Sequence, residues 1–157
     1  MNLLLVRHAI AEPRSPGRPD SLRSLTPAGA ERFERCTAGL ARLGLALDGL
    51  YTSPWQRAVE TAQILTRITV PELGEPVGTA LLADSPGQEL LALVDGHRTA
   101  ALVGHEPWMS DLLALCLGVN QLPVAFKKGG VAWLRGQPIP GGYELAAMMP
   151  PKVLVKL

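Results

Sequence analysis

Three short segments that read as strands, the apolar runs Leu3 to Val6 and Thr99 to Val103 and the mixed Leu47 to Tyr51, each give way to polar residues and then to a helix-opening proline. That recurrence limits the possible folds more than any other feature of the chain. A brief, continuous apolar run rich in branched side chains reads as a strand buried on both faces. Such strands alternating with helices imply an α/β protein with a largely parallel sheet covered on both sides. Parallel strands open their carboxyl ends on one common edge, and the crevice beyond that edge is where open α/β sheets bind ligands.

The helices fit this arrangement. Thr26-Pro27 supplies an N-cap and a proline at the first helical position. Phe33, Cys36, Leu40 and Leu43 follow at spacings of three and four, forming one buried face that ends at Gly44. Thr52-Ser53-Pro54 repeats the device and opens a second helix to about Ile68, with Trp55, Val59, Ala62 and Leu65 as its expected buried face. A third helix is expected from about Pro86 through Leu90, Leu91 and Val94 to Asp95-Gly96, and a fourth from Pro107 with Trp108, Leu112, Leu115 and Cys116 on one side. Positions 70–87 are rich in proline and glycine and read as irregular, with a short extended piece near Val77. Two late strands, around Gly130 to Leu134 and Tyr143 to Met149, have no helix between them and are expected to form an edge hairpin. The expected architecture is a single domain over residues 1–157, a three-layer α/β/α sandwich with a mostly parallel central sheet.

Composition excludes several classes. With 47% hydrophobic and 18% charged residues the chain is not of the disordered type. A formal net charge of +1 gives no general polyanion-binding surface, so nucleic acid is not an expected partner. No apolar stretch reaches the length of a membrane span, and Leu3 to Val6 is too short for a signal-peptide core. Cys36 and Cys116 have no metal-ligand spacing around them and fall on apolar helix stripes, so they read as reduced core residues. The expectation is a soluble, cytoplasmic protein without metal or cofactor.

The chemistry gathers at the strand ends. The first junction carries Arg7 and His8, the second leads through Ser53-Pro54 to Arg57, and the third carries His105 ahead of Glu106-Pro107. Arg offers a planar fork of donors suited to phosphate, and His is a nucleophile or general base near neutral pH. Helix N-termini at the same edge favour an anion. Taken singly, Arg57 reads better as a solvated helix residue paired with Glu60 or set near Thr61, and His105 as a turn histidine satisfying nearby backbone. Their coincidence at equivalent junctions favours a dianion site with phosphate as the natural occupant. His97 reads only as a surface turn residue. The loop from Ala9 to Leu25, with three prolines and three arginines, is too punctuated for regular structure, and loops of this length in small domains are usually functional.

These motifs resemble the histidine phosphatase superfamily, which is phosphoglycerate mutase-like in fold, and in particular its short bacterial branch of phosphohistidine phosphatases of the SixA type. The resemblance is carried by Leu5-Val6-Arg7-His8-Ala9, Arg23-Ser24-Leu25-Thr26-Pro27-Ala28-Gly29, Ser53-Pro54-Trp55-Gln56-Arg57-Ala58 with Thr61-Ala62, and Val103-Gly104-His105-Glu106-Pro107. The closing Met149-Pro150-Pro151-Lys152 is similar to that branch as well. The resemblance implies that His8 takes the phosphoryl group as a covalent phosphohistidine, that Arg7, Arg57 and His105 hold the phosphate oxygens, and that Arg23 also faces the phosphate pocket. It implies no metal.

Two departures matter. Ala9 stands where many members have glycine. The carboxylic acid that protonates the leaving oxygen in mutases and broad phosphatases has no clear counterpart, since positions 80–87 offer only Asp84, which reads better as a helix cap. A phosphoramidate needs less help of that kind, because imidazole can leave protonated. The missing acid therefore favours dephosphorylation of a histidine on a partner protein, such as a phosphotransfer domain in signal transduction, with inorganic phosphate or other oxyanions also entering the site. The competing readings are a phosphatase or pyrophosphatase for small metabolites, and a non-catalytic phospho-binding module.

Overall fold

The structure is a computed structural model that describes residues 1–124 and 126–157. Its strands are β1 (Asn2–Arg7), β2 (Gly49–Thr52), β3 (Val77–Gly78), β4 (Thr99–Gly104), β5 (Val131–Gly136) and β6 (Tyr143–Met149). Its helices are α1 (Pro27–Ala41), α2 (Gln56–Leu65), α3 (Glu89–Val94), α4 (Trp108–Leu117) and α5 (Pro151–Leu154). The strands form one six-stranded sheet in the order β3-β2-β4-β1-β5-β6. The first four in that order are parallel, and β5 and β6 complete the sheet as the antiparallel edge hairpin.

Alternation along β1 divides the core between the two faces, as side chains on a pleated strand must. Leu4 and Val6 pack with Phe33, Cys36 and Leu40 of α1, with Ala58, Ala62 and Leu65 of α2, and with Leu154 of α5. Leu3 and Leu5 pack with Leu90, Leu91 and Val94 of α3 and with Met109, Leu112, Leu113 and Cys116 of α4. All four β1 side chains are fully buried, and each contributes roughly 1.5–3 kcal/mol of hydrophobic stabilisation relative to exposure. The three-layer sandwich is thus built by a central strand apolar on both sides. Among the described residues no helix is long and apolar enough to cross a membrane.

The long loop returns to the body through the first turn of α1. The Thr26 N–H donates to the Ile10 carbonyl at 3.0 Å, and the Thr26 hydroxyl accepts the Gly29 N–H at 3.0 Å. Gly29 is required here, because a Cβ at that position would collide with the Ile10 carbonyl oxygen. This contact accounts for the glycine in Thr26-Pro27-Ala28-Gly29 and anchors the segment that follows His8.

Several boundaries differ from expectation. Helix α2 starts at Gln56, and Ser53 does not cap it; the Ser53 hydroxyl instead lies 2.8 Å from His105 Nε2. Its buried face is Arg57, Ala58, Thr61, Ala62 and Leu65, with Trp55 and Val59 only half-buried. Hydrophobic periodicity could not anticipate a helix that turns polar Arg57 and Thr61 inward. Helix α3 begins at Glu89 and not near Pro86, so Asp84 caps nothing: it is exposed and accepts the N–H of its neighbour Ser85 at 2.7 Å. The four-residue α5 carried too little periodicity to be expected.

Candidate active site

Main-chain hydrogen bonds bring the three strand ends to one level. Arg7 stands opposite Gly104 across the β1–β4 pair, the His8 N–H donates to the Gly104 carbonyl at 3.0 Å, and the Ser53 N–H donates to the Val103 carbonyl at 2.9 Å. Behind them, the Gly129 N–H is shared between the Arg7 and His8 carbonyls at 3.0 Å each, with Gly129 in the left-handed region that favours glycine (φ 74°). Thr61 ties β1 to α2: its hydroxyl accepts the Ala9 N–H at 3.0 Å and donates to the Arg57 carbonyl at 2.6 Å. The separation of His8 from Arg57 is therefore set by backbone contacts and one hydroxyl.

The protonation pattern of His8 follows from its partners. Nδ1 lies 2.7 Å from the Ala9 carbonyl, which can only accept, so Nδ1 carries the hydrogen. Nε2 is left with its lone pair, which accepts the Arg57 Nε–H at 3.2 Å. The ring is buried, 5% exposed. Burial lowers its pKa to about 3, opposed by the Ala9 carbonyl and reinforced by charges at His105, Arg57 and Arg7. His105, 5.1 Å away between ring centroids, is lowered to about 4 by burial and then by the Arg57 charge. Trp55 packs against the His105 ring at 4.7 Å and lies 4.6 Å below the Arg57 guanidinium, a cation–π contact that fixes the side of the crevice.

Both imidazoles are accordingly neutral at physiological pH in the free protein. Their folded-state pKa values lie below the ordinary 6.5, so the unfolded chain binds more protons between roughly pH 3 and 6.5, and stability falls as pH drops through that window. Ring-nitrogen NMR of the free protein is expected to show His8 and His105 neutral at pH 5. A midpoint near 6.5 for either ring would contradict the desolvation described.

Arg57 is held by a residue that sequence reasoning missed. In the turn Asp20–Leu22, the Asp20 carboxylate takes Arg57 Nη2 at 3.1 Å, Arg23 Nε at 2.7 Å and Arg14 Nε at 2.9 Å, while its carbonyl takes Arg57 Nη1 at 2.7 Å. Burial works to raise the Asp20 pKa, but hydrogen bonds from Arg23 and Arg14 and the Arg57 charge outweigh it and hold the group at about 2. Glu60, the partner considered for Arg57, instead accepts from the Leu25 N–H and from Gln56. Arg23 joins the site through Asp20 and the Glu12 carbonyl and makes no hydrogen bond to His8. The available signal for Asp20 was its place three residues before Arg23 in the arginine-rich loop.

Two polar atoms at this edge have no protein partner among the described residues. The Arg7 guanidinium donates through Nη1 to the Phe126 carbonyl at 2.5 Å, but its Nε is buried and unpaired, as is His105 Nδ1. Unpaired buried polar groups cost about 1–3 kcal/mol each unless a ligand or water meets them. The Arg7 Nε–H is such a donor and suits an anion's oxygen, and His105 Nδ1 is a second donor when the Ser53 hydroxyl donates to His105 Nε2. Glu106, next to His105, is half-buried, and burial pushes its carboxyl above the usual range. Among the described residues no group of three or more His, Cys, Asp or Glu side chains is arranged to hold a metal ion. Cys36 and Cys116 are buried, free thiols on α1 and α4. His97 is half-buried, not a free surface residue, with Nε2 at 3.0 Å from the Tyr51 hydroxyl.

Comparison with known proteins places these observations. The family model of the histidine phosphatase superfamily (branch 1) matches residues 3–75, the stretch that holds Arg7, His8, Arg23 and Arg57. An uncharacterized protein of Picosynechococcus sp. is 33% identical over 144 residues, covering 86% of this chain and 85% of that protein. Among solved structures, the protein histidine phosphatase SixA complexed with tungstate aligns over 97% of this chain and 98% of its own, with a TM-score of 0.82 and 21% identity. A phosphoserine phosphatase mutant from Entamoeba histolytica in complex with phosphoserine aligns over 98% of both chains, with a TM-score of 0.73 and 17% identity.

Proposed function

The chain belongs to the histidine phosphatase superfamily and has the SixA-type fold, and on that premise we propose that it is a phosphatase acting on a phosphorylated histidine of a partner protein. One observation carries this reading. His8 presents a neutral, unprotonated Nε2, fixed by the Ala9 carbonyl at Nδ1, in a crevice lined by two guanidinium groups. Nε2 attacks phosphorus, the substrate P–N bond breaks with its electron pair going to the leaving nitrogen, and the imidazole departs neutral because its other ring nitrogen already carries a proton taken from solvent. Water then attacks phosphorus, releasing inorganic phosphate and restoring His8. Arg7, Arg57 and His105 hold the phosphoryl oxygens and stabilise charge spread over them in a loose transition state. Arg23 acts through Asp20, steadying Arg57. No step calls for a metal, so EDTA is expected to leave turnover intact.

The leaving group decides between substrate classes. Alkoxide is far more basic than imidazole, so an ester without a general acid forgoes about 10²–10⁴-fold in rate. Turnover of a phosphohistidine protein is expected to exceed that of alkyl phosphomonoesters by a factor in this range. Asp84→Asn is expected to change neither substrate's rate appreciably, because Asp84 is an exposed turn residue.

A second reading, a phosphatase for small phosphomonoesters, is supported by Glu106, whose half-buried carboxyl with a raised pKa adjoins His105. Parallel assays of wild type and Glu106→Gln on both substrate classes separate the two. Efficient ester turnover that collapses selectively in Glu106→Gln would replace the phosphohistidine reading with the ester one. Binding of oxyanions without turnover of either class would leave a phospho-binding module.

A further inference from the structure

All four lysines of the chain lie at or beyond position 127, and three of them, Lys127, Lys128 and Lys152, line one groove of about 490 Å³. Arg7 and Arg32 complete its charged lining, and among the described residues no carboxylate lines it. The three lysines are exposed and Arg32 is half-buried. None of the five cations has a carboxylate within 4 Å among the described residues. A chain with a net charge of only +1 thus concentrates unpaired positive charge at one place.

The groove shares Arg7 with the site. Arg7 lines it while flanking His8, and Phe126, just before Lys127 and Lys128, holds the Arg7 guanidinium through its carbonyl. Gly129, just beyond, ties the same loop to the Arg7 and His8 carbonyls. The far wall is the start of α5, where the buried Pro151 is 3.9 Å from the Cys36 thiol through its carbonyl. Both walls are therefore anchored to the core, and the groove is preformed. Its volume is far more than one phosphoryl group fills.

Taking the phosphohistidine-protein reading as its basis, we infer that this groove binds an acidic segment flanking the phosphohistidine of the partner protein. The charge calls for carboxylates. The apolar lining from Ile10, Pro150 and Pro151 favours a peptide over a bare polyphosphate, because it offers contact to side-chain carbon that inorganic chains lack. Exposed rim charges act chiefly on association rate and salt dependence, so the effect belongs in kcat/KM and not in kcat.

The test uses the full chain and two peptides, each with one phosphohistidine, flanked in one by glutamates and in the other by glutamines. At low salt wild type is expected to favour the glutamate peptide by about ten- to a hundredfold in kcat/KM, a preference that shrinks as salt is raised. The triple variant Lys127→Glu, Lys128→Glu, Lys152→Glu is expected to lose or invert that preference, while turnover of free phosphohistidine stays within about twofold of wild type, since no lysine touches the reacting atoms. Equal use of both peptides by wild type overturns the groove assignment and leaves the phosphatase reading standing. Direct binding of a fluorescein-labelled glutamate peptide, lost in the triple variant, without hydrolysis of either peptide, sustains the groove and overturns the phosphohistidine reading. If the triple variant keeps the peptide preference but is no longer inhibited by tripolyphosphate, the groove serves a small polyanion and the acidic-segment assignment is wrong.

Discussion

Replacing His8 by alanine is expected to abolish turnover, a loss on the order of 10⁴-fold or more, as when an enzyme loses the nucleophile of a covalent route. No other side chain of the crevice can substitute. His105 is neutral too, but its Nε2 faces the Ser53 hydroxyl and its Nδ1 is buried, whereas His8 Nε2 is the ring nitrogen that meets the Arg57 guanidinium. The variant should still fold. The His8 backbone N–H keeps its bond to Gly104, and the β1 core residues Leu3 to Val6 are untouched. Thermal melting alongside the assay separates a missing nucleophile from a lost fold. A folded His8→Ala protein with substantial phosphatase activity would exclude the covalent mechanism.

The second large effect concerns the guanidinium clamp. Arg7→Ala and Arg57→Ala each remove a charge-assisted contact worth about 1.5–3 kcal/mol. If the contact is complete only in the transition state, that corresponds to roughly ten- to a hundredfold in rate. Arg57 should be the more exacting position. Its fork reaches His8 Nε2, the Asp20 carbonyl and the Asp20 carboxylate at once, at 3.2, 2.7 and 3.1 Å. Lysine offers a point charge with no such planar reach, so Arg57→Lys is expected to recover little of the lost rate. Vanadate or tungstate affinity, measured by inhibition, should weaken in both alanine variants. Unchanged oxyanion affinity in both would place the anion site elsewhere.

Much of this site was readable in the sequence because it is built from strand ends. Leu3–Val6 and Thr99–Val103 announce buried strands by their apolar runs, and once these and Leu47–Tyr51 are taken as parallel, Arg7, His8, Ser53 and His105 must share an edge. The late hairpin followed from the lack of a helix between two extended runs. What periodicity missed was the inward turn of α2. Its buried face includes Arg57 and Thr61, and a pattern that scores apolar side chains chose Trp55 and Val59 instead. Asp20 was missed for a related reason. Its contact with Arg57 spans 37 positions and is made from an irregular loop, where neither helical nor strand spacing points to a partner. The expected role of Asp84 as a cap failed because α3 starts five residues later, at Glu89. Glu106 stood beside His105 in the sequence, yet only its half-burial distinguishes it from an ordinary turn carboxylate.

The covalent step can be observed directly. Wild type is mixed rapidly with a phosphohistidine protein, quenched without acid, digested, and analysed by mass spectrometry for phosphoryl on the N-terminal peptide. The expected result is an alkali-stable, acid-labile phosphoryl group on His8, formed and consumed within the turnover time and absent from His8→Ala. Turnover that proceeds with no phosphoryl-enzyme at His8, or with the group on another residue such as His105, would contradict His8 as the nucleophile.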